Sequence, residues 1–158
     1  MKHKQSAAIF LSGLVWLVVG IYLLTLGLEL VFKSIQTTNE NQSPVLDFFS
    51  SFFHKEWIGI AFIAIALIVG YYKGRYILSK SALRISNRIL LLSKPLNPAH
   101  IYPWTYYLLV GGMILLGMSF KFLGFPNDVR GIVDITIGAA LINGALAYFK
   151  IATSVIRA

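Results

Sequence analysis

Apolar residues in this chain fall into four long runs, at 7–32, 57–72, 104–125 and 132–149. A water-soluble domain would show shorter amphipathic patches. A helix needs about 20 consecutive apolar residues to cross the hydrocarbon of a bilayer. The first and third runs reach that length, and flanking residues are expected to complete the second and fourth. Backbone groups in lipid must be satisfied within their own segment, so each run is expected to be an α-helix. The first run opens on the basic Met1-Lys2-His3-Lys4, as a secretory signal does. Its apolar stretch far exceeds the roughly 7–15 residues of a signal core and no Ala-x-Ala site follows, so it is expected to remain as a span.

Two stretches between the runs are amphipathic. Ser43-Pro44 has the form of an N-cap followed by proline at the first helical position. Val45, Phe48, Phe49, Phe52 and Phe53 then follow at helical spacing. A short helix over 44–54 is expected in the outer interface, as an anchor leading into the second span or as a lid over the spans. In the second stretch, 73–93, Leu78, Ala82, Ile85, Ile89 and Leu92 step alternately by four and three. Lys73, Lys80, Arg84 and Arg88 gather on the opposite face of that helix. Three dispositions stay open: a basic helix lying on anionic lipid, a prolongation of the second span past a hinge at Gly74 that forms a partner or oligomer seam, and a solvated face that only enforces topology. Pro95 and Pro98 end the helix before the third run.

Small residues recur every seven positions. The first run carries Ser6, Gly13, Gly20 and Gly27; the last carries Gly131, Gly138, Ala145 and Ala152. Such a period keeps one seam facing a partner helix, and small residues let backbones approach in lipid. A tight left-handed four-helix bundle is expected, with the seams within one protomer or between protomers of a homo-oligomer. The segments 62–70 and 136–144 also align, which suggests that spans one and two repeat as spans three and four in a parallel 2+2 arrangement.

Composition sharpens the class. The 158 residues are 57% apolar and 13% charged, with mean hydropathy +0.73. Ordinary soluble domains are about 45–50% apolar and about 25% charged. A soluble enzyme, a disordered tail and a disulfide-rich secreted module are thereby excluded. The absence of cysteine removes disulfides, thiolate metal sites and thiol nucleophiles.

The net charge of +8 has a topological cause and does not call for nucleic acid. Ten of the 14 basic residues fall at the N-terminus, between runs two and three, and at the C-terminus. All six acids, Glu29, Glu40, Asp47, Glu56, Asp128 and Asp134, fall on the other side. Cytoplasmic loops concentrate Lys and Arg, so both termini are expected in the cytoplasm. The expected fold is an all-α membrane protein, one transmembrane domain over 1–158 with four spans, in a bacterial inner membrane.

Few residues could carry chemistry. Ionisable groups within or beside the spans are Glu29, Lys121 and Asp134, with Lys55 and Glu56 just before the second span. Two readings stay open for them: an interfacial cluster with Glu29 and Lys121 as the leading pair, or a charged mouth. Deeper in the runs only Thr25, Ser119, Thr136 and Asn143 are polar. Asn143 is expected to hydrogen-bond a neighbouring helix or to line a path. His3, His54 and His100 are too dispersed for one metal site, and no nucleophile has a His–carboxylate pair to activate it. No catalytic residue, cofactor or metal is expected. The first functional reading is a non-enzymatic scaffold or accessory subunit whose basic helix meets anionic lipid or a protein partner. The second is a small oligomeric channel or transporter with a polar path at a helix or protomer interface.

Overall fold

The computed structural model describes residues 2–36, 44–91, 112, 115, 119 and 122–157. These residues are 93% helical and contain no strand. Helix α1 spans Lys2–Gln36, α2 Pro44–Ser50, α3 Lys55–Lys73, α4 Ser79–Leu91 and α5 Asn127–Arg157. A π turn over Gly74–Leu78 joins α3 to α4 without a break. Among the described residues, three helices are long and apolar enough to cross a membrane. The expected third span, 104–125, falls almost wholly outside the described residues, and Lys121 with it.

The helices overrun the hydropathy runs. At about 1.5 Å per residue, α1 is about 52 Å long and α5 about 46 Å, against a hydrocarbon core of about 30 Å. Hydropathy registers only the turns whose side chains are apolar; the terminal turns carry Lys, Ser and Gln yet keep the same backbone bonds. The helix expected over 73–93 is the lower part of one continuous run from α3. Its apolar residues Ala82 and Ile85 are buried with Ile9, Trp16, Leu141, Ala145 and Tyr148. The apolar face of α4 is therefore spent on α1 and α5.

The α2 helix is shorter than the 44–54 expected. It ends at Ser50, where the Ser50 hydroxyl donates to the Asp47 carbonyl and Phe52 and Phe53 N–H close on the Phe49 carbonyl. His54, with extended backbone, then starts α3. The N-cap expected at Ser43 lies outside the described residues. The cap that is described comes from elsewhere in the chain: Val45 and Leu46 N–H donate to Asp128 Oδ2 at 2.9 and 3.2 Å. These are the donors an N-cap side chain would satisfy. Asp128 is fully buried, and its Oδ1 also accepts from Val129 N–H at 2.7 Å.

Helix α5 is central. Half of its apolar window is buried, against 28% for those of α1 and of the α3–α4 helix. It runs antiparallel to α1 and parallel to α3, as the order of close approaches shows. Gly27 lies against the Gly131 carbonyl, Gly20 against the Gly138 carbonyl and Gly13 against Tyr148. The Ser6 hydroxyl donates to the Ala152 carbonyl at 2.9 Å. A Cβ on Gly27 would stand 2.7 Å from the Gly131 oxygen, and one on Gly138 2.7 Å from the Gly20 oxygen. Both clashes are with backbone, which cannot swing aside, so only glycine fits. On the α3 side, Gly70 packs on the Thr136 carbonyl and Gly74 on the Ala140 carbonyl.

The turn into α5 uses a glycine for a different reason, its backbone conformation. Gly124 has φ +63°, the left-handed conformation that ends a helix, just after Leu123 N–H bonds the Ser119 carbonyl. Pro126 then offers its carbonyl to Arg130 N–H and α5 begins.

The outward faces of these helices are apolar. Leu11, Val18, Ile21, Ile65, Ile68 and Ile77 are each about half exposed. An apolar surface of this extent belongs in lipid. The chain has the architecture of an integral α-helical membrane protein.

Candidate functional site

Two ends of the helix assembly differ in charge. The acidic end holds the C-terminal part of α1, helix α2 and the starts of α3 and α5. Four of its acids, Glu29, Asp47, Asp128 and Asp134, meet partners inside the chain, while Glu56 is exposed. Glu29 pairs with Lys33 one turn along α1, and Asp47 of α2 pairs with Lys55 at the start of α3. The Asp47–Lys55 bridge and the Asp128 cap together tie α2 to α3 and α5. Asp134 is buried and stands 3.8 Å from Arg130 Nε, one turn back on α5. Neither of these two atoms has a hydrogen-bond partner among the described residues, so the pair is held by charge alone. The expected Glu29–Lys121 pair cannot be placed, since Lys121 lies outside the described residues. Glu29 and Asp134 pair separately, each with a cation one turn away on its own helix.

The basic end holds the start of α1, the π turn, α4 and the end of α5. Lys73, Lys80 and Arg84 are exposed there; the Arg88 side chain lies outside the described residues. Arg75 and Lys150 join them. Among the described residues no Asp or Glu side chain lies at this end; the sequence has none before Glu29, from Trp57 to Asn127, or after Asp134.

The polar groups of the middle are spent locally. Asn143 Nδ2 donates to the Ala139 carbonyl at 2.9 Å, on its own helix. Thr136 donates to the Ile132 carbonyl, and Thr25 to the Ile21 and Tyr22 carbonyls. The carbonyl four residues back lies within reach of each short side chain, and that contact wins over a neighbouring helix. The glycine seam between α1 and α5 is packed by backbone carbonyls and apolar side chains such as Ile135 and Ile142. The described candidate groups do not converge on a reactive centre, and among the described residues no group of three His, Asp or Glu side chains could hold a metal.

The described residues line several grooves. One of about 430 Å³ at the acidic end is lined by apolar and aromatic side chains, Phe49, Phe53, Trp57 and Phe62 among them. One of about 630 Å³ lies between α3 and α5, with Leu24 of α1 at its side. One of about 490 Å³ lies below it at the basic end. The last two share Tyr71 and Asn143. Sequence periodicity missed Arg75 and Lys150 as a pair, because they belong to helices some 75 positions apart in the chain. It missed Asp128 as the α2 cap for the same reason.

The fold and these sites define an integral membrane protein and no narrower class. No protein-family model, no curated protein and no solved structure matches the chain.

Proposed function

We propose that this protein is a non-enzymatic membrane scaffold or accessory subunit that engages anionic lipid, or a protein partner, through its basic end. The observation that carries this reading is the gathering of Lys73, Arg75, Lys80, Arg84 and Lys150 at an end where the chain supplies no acid. Uncompensated bases beside a bilayer attract anionic headgroups. They also favour the cytoplasmic side, which puts both termini inside and fits a bacterial inner membrane. The segment 104–125 supplies the fourth crossing that this topology requires, and the glycine seam of α1 and α5 holds the assembly shut. Against the channel or transporter reading stand the locally bonded Thr25, Thr136 and Asn143.

The natural absence of cysteine makes the test clean. Single variants Ser51→Cys and Ser154→Cys, both at exposed positions, are labelled in intact cells with a membrane-impermeant maleimide. Ser51→Cys should label and Ser154→Cys should label only after lysis; the reverse pattern overturns the orientation. In proteoliposomes the wild type should conduct no more than protein-free vesicles, and a flux abolished by Asn143→Leu would establish the channel instead.

A further inference from the structure

Arg75, in the π turn, and Lys150, on α5, line the same groove of about 490 Å³, together with Tyr71, Ser79 and Asn143. Tyr71 and Asn143 also line the adjoining groove of about 630 Å³, whose other walls include Leu24, Leu67, Ile68 and Ile142. The two hollows share those walls and make one slot, apolar toward the helix centres and basic at its end. Each has a volume usual for a small-molecule site, about 300–1,000 Å³.

The depth of the two cations is informative. Along the helices Arg75 lies about 27 Å from Trp57, and Lys150 about 30 Å from Arg130, at about 1.5 Å per residue. Each separation is close to the hydrocarbon thickness of about 30 Å. With Trp57 and Arg130 at one face of the bilayer, Arg75 and Lys150 stand at the depth of the phosphates of the other. Arg75 is also steered: its Nη1 donates to the Tyr71 hydroxyl at 2.8 Å. The π turn adds a residue to the helical turn just where Gly74 presses on the Ala140 carbonyl. Single π turns inside α-helices are frequent at functional sites.

We infer that this slot binds one anionic phospholipid, its phosphate between Arg75 and Lys150 and an acyl chain along Leu67, Ile68 and Ile142. The inference rests on the lipid arm of the proposed function and narrows it from a charged face to a built site. Guanidinium offers a fork of donors to phosphate oxygens and ammonium a compact charge. A zwitterionic headgroup brings its own cation into a site that already holds two and no carboxylate. Net negative lipid is therefore preferred.

The test uses the full chain in nanodiscs. Its relative affinity for spin-labelled phosphatidylglycerol over phosphatidylcholine is measured in the wild type, in Arg75→Gln/Lys150→Gln, and in Lys80→Gln/Arg84→Gln, whose positions lie outside the slot. Two basic groups at the headgroup level give a preference of about thirtyfold. The slot variant should lose most of it and the α4 variant should keep most of it. Equal losses in both variants overturn the slot while leaving a diffuse basic face standing. No preference in the wild type overturns the slot and the lipid reading together. A photo-crosslinker at Ile142 should capture phosphatidylglycerol; capture of residues 104–125 of the same chain, or of a second copy, shows that protein fills the slot and overturns the proposal. Competition by millimolar inorganic phosphate would show a site for the free anion and overturn the lipid as occupant.

Discussion

The two ends of this protein handle charge in opposite ways. At the acidic end Glu29, Asp47, Asp128 and Asp134 each meet a cation or backbone donors within the chain. At the basic end five described cations share a surface to which the chain brings no carboxylate. The first end is largely paired within the chain and serves architecture: Asp128 and the Asp47–Lys55 bridge hold α2 against α3 and α5. The second is electrostatically incomplete and is completed from outside. Changes at the acidic end should therefore act on stability in any medium. Changes at the basic end should act mainly through the medium.

The seam that joins the two ends sets the scale of effects. Leucine at Gly138 would drive a side chain into the Gly20 carbonyl and the Leu24 backbone, each 2.7 Å from the Cβ position. Gly138→Leu is expected to destabilise by ~3 kcal/mol, the upper end for an overpacked core, read as the unfolding midpoint in a neutral detergent. Gly20→Ala, whose Cβ meets its nearest neighbours at 3.0 Å, should cost less. Wild-type stability in Gly138→Leu would mean that α1 and α5 do not pack as described.

Asp128→Ala comes next. It strips the acceptor from Val45 and Leu46 N–H, and the loss of hydrogen bonds to a buried charged group is worth about 2–3 kcal/mol. The cost should be equal in neutral and anionic lipid. A cost that vanishes in anionic lipid would erase the contrast between the ends. Asp47→Asn removes the charge from the partly exposed bridge to Lys55 and should cost about 1 kcal/mol, shrinking further in high salt.

Smallest of all is the expected effect of Lys80→Gln/Arg84→Gln on stability in neutral detergent, within about 0.5 kcal/mol. These side chains are exposed and face no acid of the chain. A larger loss would show that the basic end is bonded internally after all.

Much of the architecture was legible in the sequence, and the failures have physical causes. Three apolar runs match α1, α3 and α5, because apolar length is what a spanning helix requires. Helix ends were misjudged because their residues are polar. The seven-residue spacing of glycine was legible as a pattern, but spacing on one helix does not name its partner; only the close approaches assign Gly20 to Gly138 and Gly27 to Gly131. In the sequence Asp128 counts only as one of six acids on one side, and nothing near it points to α2. The basic face was read at 100° per residue, which groups Lys73, Lys80, Arg84 and Arg88. A π turn shifts that phase by one residue, and Arg75 left the pattern unnoticed. Asn143 has two readings in the sequence, a bond to a neighbouring helix or a place along a path; its amide donates to its own Ala139 carbonyl.

The central claim, that the basic end is completed by anions from outside the chain, is tested most directly on the wild-type protein. Its thermal unfolding midpoint should be compared in nanodiscs of phosphatidylcholine alone and of phosphatidylcholine with phosphatidylglycerol, at low and high salt. The midpoint should be higher with phosphatidylglycerol, and the difference should fall as salt screens the headgroups. Identical midpoints in the two lipids at low salt would contradict it.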